Sequence, residues 1–154
     1  MTNSYLESHP DINGYFGKFG GSFIPPILEK PFADITKATL ENFANQTRLS
    51  LGLPALVKNQ KLEQAAQMKA ENMLSNNYIS HTSPSGIAPW LLFSKSGYNY
   101  KYAGENLAVG FYESEEVYVA WLNSASHKAN IINPKYTEVG TAVLGGFGPN
   151  NAII

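Results

Sequence analysis

The 154-residue chain carries 11 basic and 12 acidic residues for a net charge of −1, with charged residues at 15% and aromatics at 12%. This describes one globular domain rather than a disordered segment, and it excludes a nucleic-acid binder, which needs a Lys/Arg surface to neutralise phosphates; Arg48 is the single arginine. The lack of cysteine excludes disulfide frameworks, cysteine-ligated metals and thiol nucleophiles, and no apolar run reaches the roughly 18 residues that span a bilayer.

Residues 1–33 are broken by Gly14, Gly17, Gly20, Gly21, Pro25, Pro26 and Pro31, so they read as a linker or surface-hugging arm whose Tyr15, Phe16, Phe23 and Phe32 can pack on a neighbour. The start of the chain has neither the charged residues nor the apolar stretch of a signal peptide. The domain proper is expected over 34–154. Asp34 or Thr36 caps a first helix whose apolar face runs Leu40, Phe43, Ala44, Thr47 and Leu51, with Gly52 as its stop. Asn59 caps a second, with Leu62, Ala65, Ala66, Met73 and Leu74 inward and Lys61, Glu63, Lys69 and Glu71 mainly outward.

The segment HTSPSGIAPW is loop-like. Pro89 then opens a short helix closed by Gly97. YNYKYAGENLAVGF is too rich in glycine and alternating aromatics for a helix and is expected to be extended or strand-like. Ser114 starts a helix with Glu115 and Glu116 favourably placed in its first turn and Val117, Tyr118, Trp121 and Leu122 inside. YTEVGTAVL has strand character, with Val139, Thr141 and Val143 on one face. Mixed elements without a βαβ rhythm give α+β.

Two of the three histidines sit in distinctive settings. His81 is followed by Thr82, Ser83, Pro84, Ser85 and Gly86, turn formers that hold a side chain at a surface or cleft; His127 follows Ser124, Ala125 and Ser126. Between them lies Gly104-Glu105-Asn106. Two imidazoles and a carboxylate are the donor types for zinc or another divalent cation, and they equally suit general acid–base work or a purely structural hydrogen-bond network. Glu113, Glu115 and Glu116 are read as capping and dipole residues, and Trp90 and Trp121 as core. Tyr98, Tyr100 and Tyr102 either line a groove for glycan or peptide stacking or form one strand face packed on a helix. No G-x-S-x-G elbow or S-x-x-K accompanies the serines, so serine-nucleophile chemistry has little support.

Taken in order, NQTR (45–48), GLPAL (52–56), AAQMKAENM (65–73), HTSP (81–84), AGENLAVGF (103–111) and AWLNSASHKANIINPKYTEVGTAV (120–143) resemble the CAP superfamily, or SCP domain, in its cysteine-free bacterial form. The resemblance implies a three-layer α–β–α sandwich with a central antiparallel sheet, its final strand cut short at Asn150–Ile154, and an extracellular or cell-surface setting. It also implies a cleft. His81 matches the family's first cleft histidine and Glu105 its first cleft acid, while Ser124 and Lys135 stand where eukaryotic members have the second acid and second histidine. His127 matches the histidine of the bacterial S-P-G-H-R-A-N-I block and is expected to enter the cleft from a turn. The function so implied is non-enzymatic binding of a lipid, glycan or peptide at His81, Glu105 and His127, with the two histidines as metal ligands. The alternative is a metal-assisted hydrolase with Glu105 as the base.

Overall fold

The computed structural model describes residues 35–145. The N-terminal arm over 1–33, Asp34 as an alternative cap and the terminal run 150–154 lie outside the described residues. Seven elements follow in order: α1 (Lys37–Ser50), β1 (Val57–Lys58), α2 (Gln60–Ser75), α3 (Pro89–Lys95), α4 (Ser114–Asn123), α5 (Ala125–Ile131) and β2 (Glu138–Val139).

Local chemistry accounts for the helix ends. Thr36 caps α1 through its hydroxyl, which accepts from Thr39 N, and Asn59 caps α2, its amide oxygen accepting from Lys61 N and Leu62 N. Pro89 opens α3, where a missing N–H costs nothing. Gly52 and Gly97, both at φ +72°, end α1 and α3 in the left-handed region that penalises any side chain. α2 packs on α3, and α1 on α4. The core consists of Leu40, Ala65, Ala70, Met73, Leu92, Phe93, Val117, Tyr118 and Ile131.

The expected antiparallel sheet is not what the described residues show. β1 and β2 pair in parallel, Val57 opposite Glu138 and Lys58 opposite Val139. Four helices separate the two strands, and a connection of that length permits a parallel crossover that a hairpin turn cannot make. The strand expected over YTEVGTAVL is only two residues long. The residue after it, Gly140, lies directly against α2: a Cβ there would stand 2.1 Å from Glu63 N. The stretch YNYKYAGENLAVGF is irregular rather than paired.

Four side-chain placements also differ from expectation. Leu51 is exposed because the helix has already ended at Ser50, and Trp90 is 46% exposed on the outer side of the short α3. Lys69 on α2, expected to face outward, is buried. His127 stands on α5, a helix and not a turn.

Asn59 links the two strands to α2. Its amide nitrogen donates to Glu138 Oε1 at 2.8 Å, and the Tyr98 hydroxyl donates to Glu138 Oε2 at 2.7 Å. Burial of the phenol, reinforced by the Glu138 bond and charge, pushes Tyr98 up to about 12, while those two bonds hold Glu138 below the usual carboxylate range. A phenol that binds its proton more tightly when folded contributes stability that is complete below the unfolded value of about 10 and is lost as pH rises towards about 12. Burial also raises Tyr78 and Tyr118, so ultraviolet titration is expected to show several late-ionising tyrosines and to lose one of them in Tyr98→Phe. A Tyr98→Phe profile identical to the parent's would exclude this assignment.

Candidate functional site

The loop that carries His81 is closed on itself. Ser83 is buried, its N–H donates to Ile87 O and its hydroxyl accepts from Ile87 N, both at 2.9 Å, and Gly86 N donates back to Ser83 O. His81 projects from this turn with its side chain 58% exposed. Its Nδ1 lies 2.7 Å from Glu105 Oε1, and the Glu105 side chain is only 14% exposed. An ionised carboxylate can only accept, so beside it Nδ1 carries the proton, and in the neutral imidazole Nε2 is then the acceptor. No described residue hydrogen-bonds Nε2. Burial raises the Glu105 carboxyl above its ordinary range, against the opposing pull of the His81 bond and the Lys69 charge.

The GEN segment is fastened from behind by α5. Asn130 Nδ2 donates to Glu105 O at 3.2 Å and to Asn106 Oδ1 at 2.8 Å, and Asn106 Nδ2 donates to His127 O at 3.1 Å. Gly104 makes this approach feasible. A Cβ at that position would come within 2.7 Å of both Asn130 Oδ1 and the Tyr136 hydroxyl. The His127 ring bonds elsewhere, its Nδ1 2.8 Å from Ser124 Oγ. The structure thus brings the His81 and Glu105 side chains together and ties His127 to the same region through its backbone.

One member of the cluster escaped the sequence reading. Lys69, 3% exposed, donates to Ser80 O at 2.6 Å, His81 O at 2.7 Å and the Tyr78 hydroxyl at 3.3 Å, with its ammonium 5.0 Å from the Tyr78 ring centroid. Tyr78 in turn donates to Asn72 Oδ1 at 2.7 Å. Burial lowers the Lys69 ammonium from its ordinary value, and Glu105 pulls it back up. The signal was present in the spacing: Ala65, Lys69 and Met73 recur every four residues, so a lysine sits in the apolar stripe of α2.

The donors present do not fit a resident divalent ion. Protein sites for zinc supply three or four ligands, and among the described residues no three His, Asp or Glu side chains are grouped to hold a metal. His81 and Glu105 turn their facing atoms to one another.

A family model described as "CAP: Cysteine-rich secretory protein family" matches residues 41–151. The chain belongs to this family. It is 40% identical over 100 residues to the uncharacterized protein YkwD of Bacillus subtilis, covering 65% of this chain but only 39% of that protein. Among solved structures it is similar to an extracellular protein containing a SCP domain from Bacillus anthracis, with TM-score 0.67 and 27% identity over 75% of this chain and 37% of the other. A second similar structure is an outer surface protein of Borrelia burgdorferi, with TM-score 0.67 and 30% identity over 77% and 89% of the two chains. A 41-residue match, 46% identical, to tryptophan synthase beta chain 1 of Wolinella succinogenes covers 27% of this chain and 10% of that protein, too little to define a second family. The CAP match is the one that spans the site. Among the described residues no helix is long and apolar enough to cross a membrane.

Proposed function

We propose that this CAP chain is an extracytoplasmic binding domain, without catalysis of its own, in which the His81–Glu105 pair is the hydrogen-bonding centre of the ligand site and His127 supports it through Asn106. The observation that carries this reading is an exposed imidazole oriented by a carboxylate that is itself mostly buried. A group kept in that state at the cost of desolvating its partner is poised for something outside the protein. Nε2 accepts, so it suits a ligand hydroxyl or amide N–H. The extracellular and outer-surface character of the similar solved structures supports the location. The layered α–β–α arrangement of the family is the architecture this reading assumes, with the β1–β2 pair in its sheet.

The surface favours a glycan over a lipid or peptide. Trp90 and Tyr100 are 46% and 40% exposed with ring centroids 6.2 Å apart, backed by the buried Phe93 at 5.9 and 5.4 Å, and exposed rings of this kind stack on sugar C–H groups. The hydrolase alternative has less support, since among the described residues no third His, Asp or Glu joins the pair to hold a metal. Nuclear magnetic resonance titration with an N-acetylglucosamine tetrasaccharide, an unstructured peptide and phosphatidylglycerol vesicles tests the reading. The saccharide is expected to shift His81, Glu105 and the Trp90 indole, and His81→Ala is expected to weaken it about tenfold, the worth of one hydrogen bond of about 1.4 kcal/mol. Saccharide affinity unchanged in His81→Ala, or no shift at the pair with any probe, would sink the proposal.

A further inference from the structure

The family's cleft is associated with a divalent cation, yet this chain buries a cation of its own against the loop that carries His81. We propose that the Lys69 ammonium is the resident cation of the site: it fixes the backbone that presents His81, so the pair meets its ligand without a metal. This rests on His81–Glu105 being the ligand centre, as proposed above.

The coordination of the ammonium is complete. A lysine has three N–H donors, and Lys69 meets three acceptors, two of them the carbonyls of Ser80 and His81 and the third the Tyr78 hydroxyl. The Tyr78 ring adds its negative face at 5.0 Å, and Asn72 holds Tyr78 in place. Lysine is among the residues least often fully buried, because removing its charge from water is costly unless every proton is bonded. Here each proton is bonded, and two of the three bonds go to consecutive carbonyls of the loop bearing His81. Carbonyls gathered around a buried charge are the arrangement that a bound metal ion would otherwise impose. Lys69 does this from the middle of α2, a rigid element, and its charge reaches Glu105.

A fixed positive charge at this position also opposes a second one. Like charges repel, and Glu105 has already turned Oε1 to His81. Both features oppose metal binding, since among the described residues the ligand set is short and an ammonium already occupies the carbonyls of the neighbouring loop. The ligand implied is therefore one recognised by the imidazole directly, through a hydroxyl or amide proton donated to Nε2, and not one whose oxygen must sit on a metal.

The experiment uses the full chain and resonances of the His81 ring and of the backbone amides at 78–82. Zinc chloride at stoichiometric concentration, and then excess chelator, are expected to leave the His81 ring signals unmoved. Lys69→Met is expected to shift those signals and to speed hydrogen exchange of the loop amides at least about tenfold, as the loop loses its anchor. Lys69→Arg, which keeps the charge, provides the second variant should the methionine form fail to fold, and is expected to retain more than half of the wild-type protection. Zinc-induced shifts at His81 that His81→Ala abolishes would overturn the proposal, as would a folded Lys69→Met whose His81 signals match the wild type. Saccharide binding is scored separately. If it proves independent of His81, the ligand reading fails while the zinc and exchange results still decide whether Lys69 is the resident cation.

Discussion

Replacing Arg48 with methionine is expected to remove about 4 kcal/mol or more of folding stability, a large share of what a domain of this size possesses. The guanidinium is fully buried, 0% exposed, and donates to four carbonyls at 2.9 Å: Nε to Pro54 O, Nη1 to Ile131 O and Asn133 O, and Nη2 to Tyr136 O. Those acceptors lie in the GLP turn after α1, at the end of α5 and in the turn leading to β2, so one side chain joins three parts of the fold. Ile131 ends α5, where carbonyls lack helical partners and the dipole favours a cation. Methionine fills part of the volume but leaves buried acceptors unpaired at about 1–3 kcal/mol each. Arg48→Lys keeps the charge, yet a point donor cannot span four acceptors held in a planar fork, so it is expected to recover less than half of the loss. Urea unfolding with an unchanged slope is the measurement, and a loss under about 1 kcal/mol for Arg48→Met would show that the carbonyls find other partners.

This residue also shows where sequence reading succeeds and where it stops. The motif NQTR was legible as a signature, and its physical content is now visible. Asn45 pins the GLPAL turn by accepting from Leu56 N and donating to Leu56 O, Thr47 accepts from the Tyr118 hydroxyl, and Arg48 reaches the far end of the domain. The caps at Thr36 and Asn59, the start at Pro89 and the stops at Gly52 and Gly97 were readable because each acts within a few residues. Partners of Arg48 more than 80 positions away were not, since periodicity ranks a residue as inside or outside but does not say what it meets there. The parallel pairing of β1 with β2 was lost for the same reason.

The site divides along a similar line. His81 and Glu105 were identifiable from HTSP and GEN, and their 2.7 Å contact across 24 residues brings those two segments together. Lys69 is less legible, because its charge points to the solvent side while its place in the stripe of Ala65 and Met73 puts it inside. His127 was expected to present its ring from a turn, whereas a seven-residue helix turns that ring to Ser124 and gives its carbonyl to Asn106. A hydrogen-bonded frame thus holds the His81–Glu105 pair in position.

Gly140→Ala is the second substitution expected to be severe, at about 3 kcal/mol or more, the upper end of what overpacking costs. A Cβ at position 140 would lie 2.1 Å from Glu63 N, 2.2 Å from Leu62 C and 2.5 Å from Leu62 Cβ. Two of these are backbone atoms in the first turns of α2, so no rotamer change relieves the clash and β2 has to retreat from the helix. Retreat breaks more than one contact, because Val139 O accepts from Asn59 N, Thr137 O accepts from Val57 N, and Glu138 holds both Asn59 and Tyr98. Two controls bracket the effect. Gly145→Ala meets nothing within 4 Å and is expected to stay within about 0.5 kcal/mol of the parent, while Gly52→Ala meets nothing either but sits at φ +72° and is expected to cost about 1–2 kcal/mol from backbone strain alone. Urea midpoints should therefore fall in the order Gly145→Ala, Gly52→Ala, Gly140→Ala. Hydrogen exchange adds a local readout, since only the last should deprotect the amides of Val57 and Asn59. A Gly140→Ala variant as stable as Gly145→Ala, with both amides still protected, would mean that β2 does not pack against α2 in solution.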